Sequence, residues 1–311
     1  MGDRSDQLTK VRRLALVSVV ATYILVVMGA VVRVSGSGLG CPDWPTCYGS
    51  WIPPLERAAL IEYTHRTLAA VVGVLVVWLV MAAWRQRSSY PWGIRLGLVA
   101  LVLLGIQAWL GRVVVLTELH PVLVTFHLAT AMLFLAALLA MWQLPDDGEW
   151  RWGWPTGMLA AAALGVLVVI VVGAWVRGLG AGLAFPDWPL MGGTALPALG
   201  GSAARAAQFL HRVSVLALFG YLVYVTVALW GRRWGRSAAV LLGLYLAQGV
   251  VGGLTVLTRL EPVTRVTHVA LGALVWAVAA ALTLGSARDV LTTRSRFSDS
   301  LPTAVGLTGE E

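Results

Sequence analysis

The chain has 311 residues, of which 58% are hydrophobic and only 12% charged, with a mean hydropathy of +0.79 and a formal net charge of +8. Soluble domains carry about 25% charged residues, so this composition excludes a water-soluble domain and points to lipid as the solvent. The basic excess is not gathered on one face, as nucleic-acid binding requires; it falls in short segments between apolar runs, where membrane topology is encoded.

A spanning helix needs about 20 apolar residues. The first such run, 14–34, follows Arg4, Lys10, Arg12 and Arg13. It is too long for a signal-peptide core and carries no small-residue cleavage site, so it reads as a retained first helix. Further runs lie at 63–84, 93–116, 122–142, 157–176, 207–230, 237–257 and 265–285. The expected fold is therefore an all-α integral membrane protein with eight transmembrane helices. The Lys/Arg bias puts both termini in the cytoplasm: Arg85, Arg87, Arg95, Arg151, Arg232, Arg233, Arg236 and Arg288 fall on the same side as the N-terminus. The segment 291–311 is polar and lacks apolar periodicity, and is expected to be a disordered cytoplasmic tail.

The chain repeats itself. Gly29-Ala30-Val31-Val32-Arg33 returns as Gly173-Ala174-Trp175-Val176-Arg177, and Pro42-Asp43-Trp44-Pro45 as Pro186-Asp187-Trp188-Pro189. Gln107, Gly111 and His127 return as Gln248, Gly252 and His268, and His65-Arg66 returns as His211-Arg212. Duplication with small loop indels explains the drifting offset. An even number of helices per copy keeps both copies in one orientation. The expectation is two tandem four-helix bundles, 1–150 and 151–290, related by a pseudo-two-fold axis along the membrane normal.

Four of the five histidines pair under this repeat, and each is expected about one turn inside the outer end of an even-numbered helix. Helices 2 and 4 run in the same direction, so His65 and His127 fall at one depth, and His211 and His268 do likewise in the second half. That arrangement suits the two axial ligands of a heme. A lone histidine at a helix end is more often a packed or interfacial residue, but four placed in register by a repeat, in a setting where ionisable groups are costly, favour ligation. Zinc prefers three or four ligands in one cluster, often with cysteine. His120 has Glu261 at its repeat position and reads as an outer-loop residue.

The two halves differ in telling places. Glu62, three residues before His65, is replaced by Gln208 before His211. Residues at that spacing share a helix face, so one site has a carboxylate able to take a proton or stabilise cationic charge, and the other has an amide. A glutamate serving the helix dipole is the bland alternative. The only cysteines, Cys41 and Cys47, flank the first Pro-Asp-Trp-Pro and have Phe185 and Met191 as counterparts. On the oxidising side they form a candidate disulfide, either a static staple or, if exposed, a redox-active pair. Arg66 and Arg212 are candidate partners for heme propionates, or else snorkel to headgroups. The 15 tryptophans mark interfacial belts.

The block Glu62-Tyr63-Thr64-His65-Arg66, the run Gly38-Leu39-Gly40-Cys41-Pro42-Asp43-Trp44-Pro45 and the two-fold histidine pattern resemble heme A synthases, from the first helix through the eighth. The resemblance implies oxidation of the C8 methyl group of heme O to a formyl group through hydroxylated intermediates. It implies that His65 and His127 hold the substrate heme O, that His211 and His268 hold a heme b iron, and that Glu62 acts at the substrate site. It assigns Cys41–Cys47 a part in heme transfer or redox cycling. It implies a heme O synthase (protoheme farnesyltransferase) as supplier, a terminal cytochrome oxidase as consumer and an electron-transfer partner it does not identify. The rival readings are a diheme bis-histidine electron carrier of the cytochrome b type, which leaves the Glu62/Gln208 difference unused, and a heme carrier.

Overall fold

A computed structural model describes residues 2–88, 91–145 and 150–289. Its helices are α1 (Gly2–Val34), α2 (Arg57–Arg85), α3 (Pro91–Leu116), α4 (Pro121–Trp142), α5 (Trp154–Gly178), α6 (Ala203–Leu229), α7 (Gly235–Leu257) and α8 (Pro262–Asp289), with a short 3-10 turn at Ala181–Leu183. Among the described residues, eight helices are long and apolar enough to cross a membrane. The expected tail 291–311 lies outside the described residues.

All eight expected spans are present, and the boundaries differ most at the starts of three helices; α1 begins at Gly2, ahead of the expected 14. Helices α2 and α6 begin at Arg57 and Ala203, ahead of the expected 63 and 207. Alanines at 58, 59, 203, 204, 206 and 207 extend both helices past the apolar run, because alanine forms helix without needing lipid. Pro121 and Pro155 sit in the first turn of α4 and α5, where a missing N–H costs nothing.

Within the first four helices, α1 packs on α2 and α4, and α3 packs on the same two, so α2 faces α4 across the group. The last four repeat this: α5 and α7 each pack on α6 and α8. The two groups meet where α4 lies against α5 and α8, and α1 against α8. The core runs through this seam, with Met132, Leu135, Leu138 and Met141 of α4 fully buried against Trp276 and Ala279 of α8. Since lipid tails are as apolar as leucine, burial alone does not hold such helices together; close packing and hydrogen bonds do. The Trp276 indole donates to the Met132 carbonyl (2.9 Å) and the Tyr23 hydroxyl to that of Ala270 (3.1 Å). Helix α2 buries Val72, Val76, Leu79 and Ala83, a helical stripe, and leaves Val74 and Trp78 outward.

The two long connections, 35–56 and 179–202, lie at the same end as the α3–α4 and α7–α8 turns, here termed the loop end. Those short turns are near copies. Glu118 and Leu119 take left-handed backbone angles (φ 50° and 65°), as do Arg259 and Leu260 (56° and 67°). Non-glycine residues pay a penalty there. Each turn thereby aims a leucine at a glycine in the neighbouring long loop, Leu119 at Gly38 and Leu260 at Gly182.

Candidate functional site

Near the loop end, four histidines on even-numbered helices lie against four glycines on odd-numbered ones. A methyl group added at Gly29 would stand 3.2 Å from Cε1 of His65, at Gly111 3.6 Å from that of His127, and at Gly173 and Gly252 2.9 Å from those of His211 and His268. The glycines are sockets that admit the imidazoles between paired helices. Their recurrence is visible in the sequence; their purpose needs the packing.

His65 and His211 are each the ninth residue of their helices, and His127 and His268 each the seventh. For His65 and His211 the expected depth of one turn is therefore corrected to about two, because α2 and α6 start early. His65 lies within electrostatic reach of His127, and His211 of His268. The Nδ1 atoms of His65, His127 and His211 are fully buried without a hydrogen-bond partner, while each residue as a whole is only partly buried. Gln107 donates to the His127 carbonyl (3.0 Å) and Gln248 to that of His268 (2.9 Å), fixing the backbone at both positions. Among the described residues no three His, Cys, Asp or Glu side chains converge as a metal cluster. Two imidazoles within electrostatic reach of one another on non-adjacent helices suit a heme iron, and the orphaned ring nitrogens and glycine sockets fit that group.

Beside His65, the Glu62 carboxylate is buried and both its oxygens are engaged. Oε2 accepts from the Cys41 backbone N–H (2.9 Å) and Oε1 pairs with Arg66 (2.6 Å). It is the sixth residue of α2, too far in to serve the helix N-terminus. In the other half the Gln208 Oε1 accepts from the Phe185 N–H (2.5 Å) while its Nε2 donates to the Gly182 carbonyl (2.8 Å). Both side chains thus latch the long loop to the helix that bears a histidine, one through an ion pair and the other through neutral bonds.

Arg66 and Arg212, the sequence's candidates for propionate partners, are bound elsewhere. Arg66 donates to the carbonyls of Asp43 (2.7 Å), Thr46 (2.7 Å) and Cys41 (3.0 Å) as well as to Glu62. Arg212 donates to those of Leu190 (2.7 Å) and Phe185 (3.1 Å). The loop backbone, whose path the sequence does not reveal, provides these acceptors.

Cys41 and Cys47 form a disulfide, and both are fully buried (0%) rather than exposed. Phe185 and Met191 fill the equivalent places as buried apolar residues. Beneath each loop an aspartate gathers backbone donors. Asp43 accepts from Thr46, Tyr48 and Gly49, and Asp187 from Gly192 and Gly193. The Thr46 hydroxyl first, then the Gly49 and Tyr48 amides, hold the Asp43 carboxyl down at about 2; the Gly193 and Gly192 amides lower that of Asp187. His120 is exposed beside α4, whereas Glu261 accepts from the Thr264 N–H (2.9 Å) at the start of α8.

Residues 12–280 match the family model COX15-CtaA, cytochrome oxidase assembly protein. A heme A synthase of Symbiobacterium thermophilum is 32% identical, the alignment covering 86% of this chain and 92% of that protein. One of Sphingopyxis alaskensis is 31% identical over 83% and 86% of the two chains, and one of Rhizorhabdus wittichii 29% over 84% and 91%.

Proposed function

The chain belongs to the COX15-CtaA family of cytochrome oxidase assembly proteins, and from that premise we infer that it is a multi-pass membrane oxidoreductase converting heme O to heme A. The observation that carries this reading is the set of four glycine-socketed histidines, arranged as two facing pairs.

The finer assignments are proposals. The chain is two tandem four-helix bundles, 1–150 and 151–290, related by a pseudo-two-fold axis along the membrane normal. The first holds the substrate heme O through His65 and His127; the second holds a heme b iron through His211 and His268. Support comes from the matched ring of helix neighbours in each half and from the carboxylate that only the first half has. When bound, heme b supplies one-electron exchange at its iron. Glu62 does two things on this reading. It holds Cys41 and Arg66 in place over the first site, and it presents the single buried carboxylate on the helix face that carries His65, where it takes up or steers the proton released as the methyl group is oxidised. Gln208 keeps the loop latch without that capacity. The socket glycines orient the rings, and the closed seam of α4 and α8 excludes water between the sites.

On this reading a farnesyltransferase supplies the heme O and the terminal oxidase takes the heme A, which accords with the family's part in cytochrome oxidase assembly. Both termini lie in the cytoplasm and the heme sites toward the outer side of the cell membrane on this reading, which the positive-inside bias supports.

The test is to express the chain with a heme O synthase and to separate the extracted hemes by chromatography, beside a Glu62→Gln variant. Heme A from the wild type, with heme O or a hydroxylated intermediate from the variant, is the expected result. Heme B alone from both, with a bis-histidine spectrum, would replace the synthase reading with an electron carrier.

A further inference from the structure

Three arginines converge at the loop end of the seam. Arg33 lies in the last turn of α1, Arg177 in the last turn of α5 and Arg265 in the first turn of α8, and each is within reach of the charges of the other two. None of the three guanidinium groups makes a hydrogen bond or ion pair with a described residue, and Nε of Arg33 is fully buried without a partner. The carboxylate one turn before Arg265, Glu261, is bonded to the Thr264 N–H. Arg33 and Arg265 are half-buried and Arg177 is exposed; like charges gathered this closely repel one another and leave strong donors unmatched, an arrangement that an anion stabilises.

The register says which anion. Arg33 follows Gly29 by four residues, Arg177 follows Gly173 by four, and Arg265 precedes His268 by three. Residues at these spacings share a helix face. Each arginine therefore stands one turn nearer the loop end than a residue lining a histidine site. Gly29 belongs to the first site, and Gly173 and His268 to the second, so the cluster borders both. A heme carries its carboxylate side chains on one edge, and guanidinium groups take carboxylates in paired, charge-assisted bonds.

We propose that Arg33, Arg177 and Arg265 form one carboxylate-binding cluster, shared by the two sites, that takes the propionate groups of the hemes held by the histidine pairs. This rests on the heme-binding reading above. It moves the propionate role from Arg66 and Arg212, whose bonds hold the loops, to three arginines that meet only through packing of α1, α5 and α8.

The test titrates full-length protein, purified without heme, with protoheme and with protoheme dimethyl ester, following uptake by absorption. The wild type should prefer the diacid by about tenfold or more, the size expected of charge-assisted bonds. Arg33→Gln and Arg177→Gln should each shrink that preference while leaving affinity for the ester unchanged, which also shows that the variants fold; Arg33→Lys should be intermediate. Equal affinity for diacid and ester in the wild type, or a preference undiminished in both glutamine variants, overturns the cluster alone. An anionic phospholipid retained by the wild type and lost in Arg33→Gln, with heme preference unchanged, overturns it in favour of a lipid phosphate. Absence of any saturable heme uptake by the wild type overturns the heme-binding reading as well.

Discussion

At the scale of single residues, the site is decided by what is missing as much as by what is present. The distances at the four socket glycines are unequal, and a methyl group is tolerated only where the ring leaves room for it. Gly173→Ala and Gly252→Ala would meet Cε1 at 2.9 Å, inside ordinary contact, whereas Gly111→Ala would meet it at 3.6 Å. Overpacking of this kind costs about 1–3 kcal/mol. The first two substitutions should displace His211 and His268 and lower heme retention in the second half; Gly111→Ala should leave heme content near the wild-type value. Heme-to-protein ratios in purified membranes read the difference, and equal losses at all three positions would refute the socket account. Gln208 offers a second case. In Gln208→Glu the donor to the Gly182 carbonyl becomes an acceptor, so two acceptors face each other where a 2.8 Å bond stood. A loss of about 1–3 kcal/mol follows, seen as a lower thermal midpoint. A variant as stable as the wild type would remove the latch from the account.

At the scale of elements, the long loops are ordered by one buried helix side chain and one aspartate cage each. The cage makes the first loop sensitive to pH in a defined sense. The Asp43 carboxyl titrates at about 2 in the fold, below its ordinary value of about 4. Its contribution to loop order is therefore fully present above the ordinary value and is lost as pH falls through about 2. Pepsin cleavage within 41–52, measured relative to an Asp43→Asn variant, should stay suppressed from pH 5 to 3 and rise only near 2; a rise already complete at pH 4 would show that the cage does not form. Much at this scale is legible in the sequence. The eight apolar runs name the eight helices, and the repeat puts four histidines in register. The early starts of α2 and α6 escape, because hydropathy marks where lipid begins and alanine continues a helix outside it. The partners of Arg66 and Arg212 escape too, since backbone carbonyls of a folded loop leave no trace in residue type. The convergence of Arg33, Arg177 and Arg265 is invisible for the same reason: the three come from α1, α5 and α8, which only the seam brings together.

At the scale of the whole molecule, two groups of four helices meet through α4, α5, α8 and α1, with the Trp276–Met132 and Tyr23–Ala270 bonds crossing between them. Segments 1–150 and 151–311 expressed as separate chains should therefore copurify. Trp276→Phe and Tyr23→Phe should each weaken that association by roughly 0.6–1 kcal/mol, the usual worth of an interhelical hydrogen bond in a membrane, as judged by recovery of the second segment on a tag carried by the first. Halves that fail to copurify even as wild type would show that the linker, and not the seam, holds them together. Each of the four socketed histidines and its glycine sit on the two arms of one helical hairpin: α1 with α2, α3 with α4, α5 with α6, α7 with α8. A chain threaded into the bilayer hairpin by hairpin thus delivers one ring already fitted to its notch at each step. The first facing pair exists as soon as α4 has followed α3 into place, while the whole second half is still unmade; biogenesis of the two sites is sequential by construction, and an arrested chain ending after residue 145 would already carry one of them.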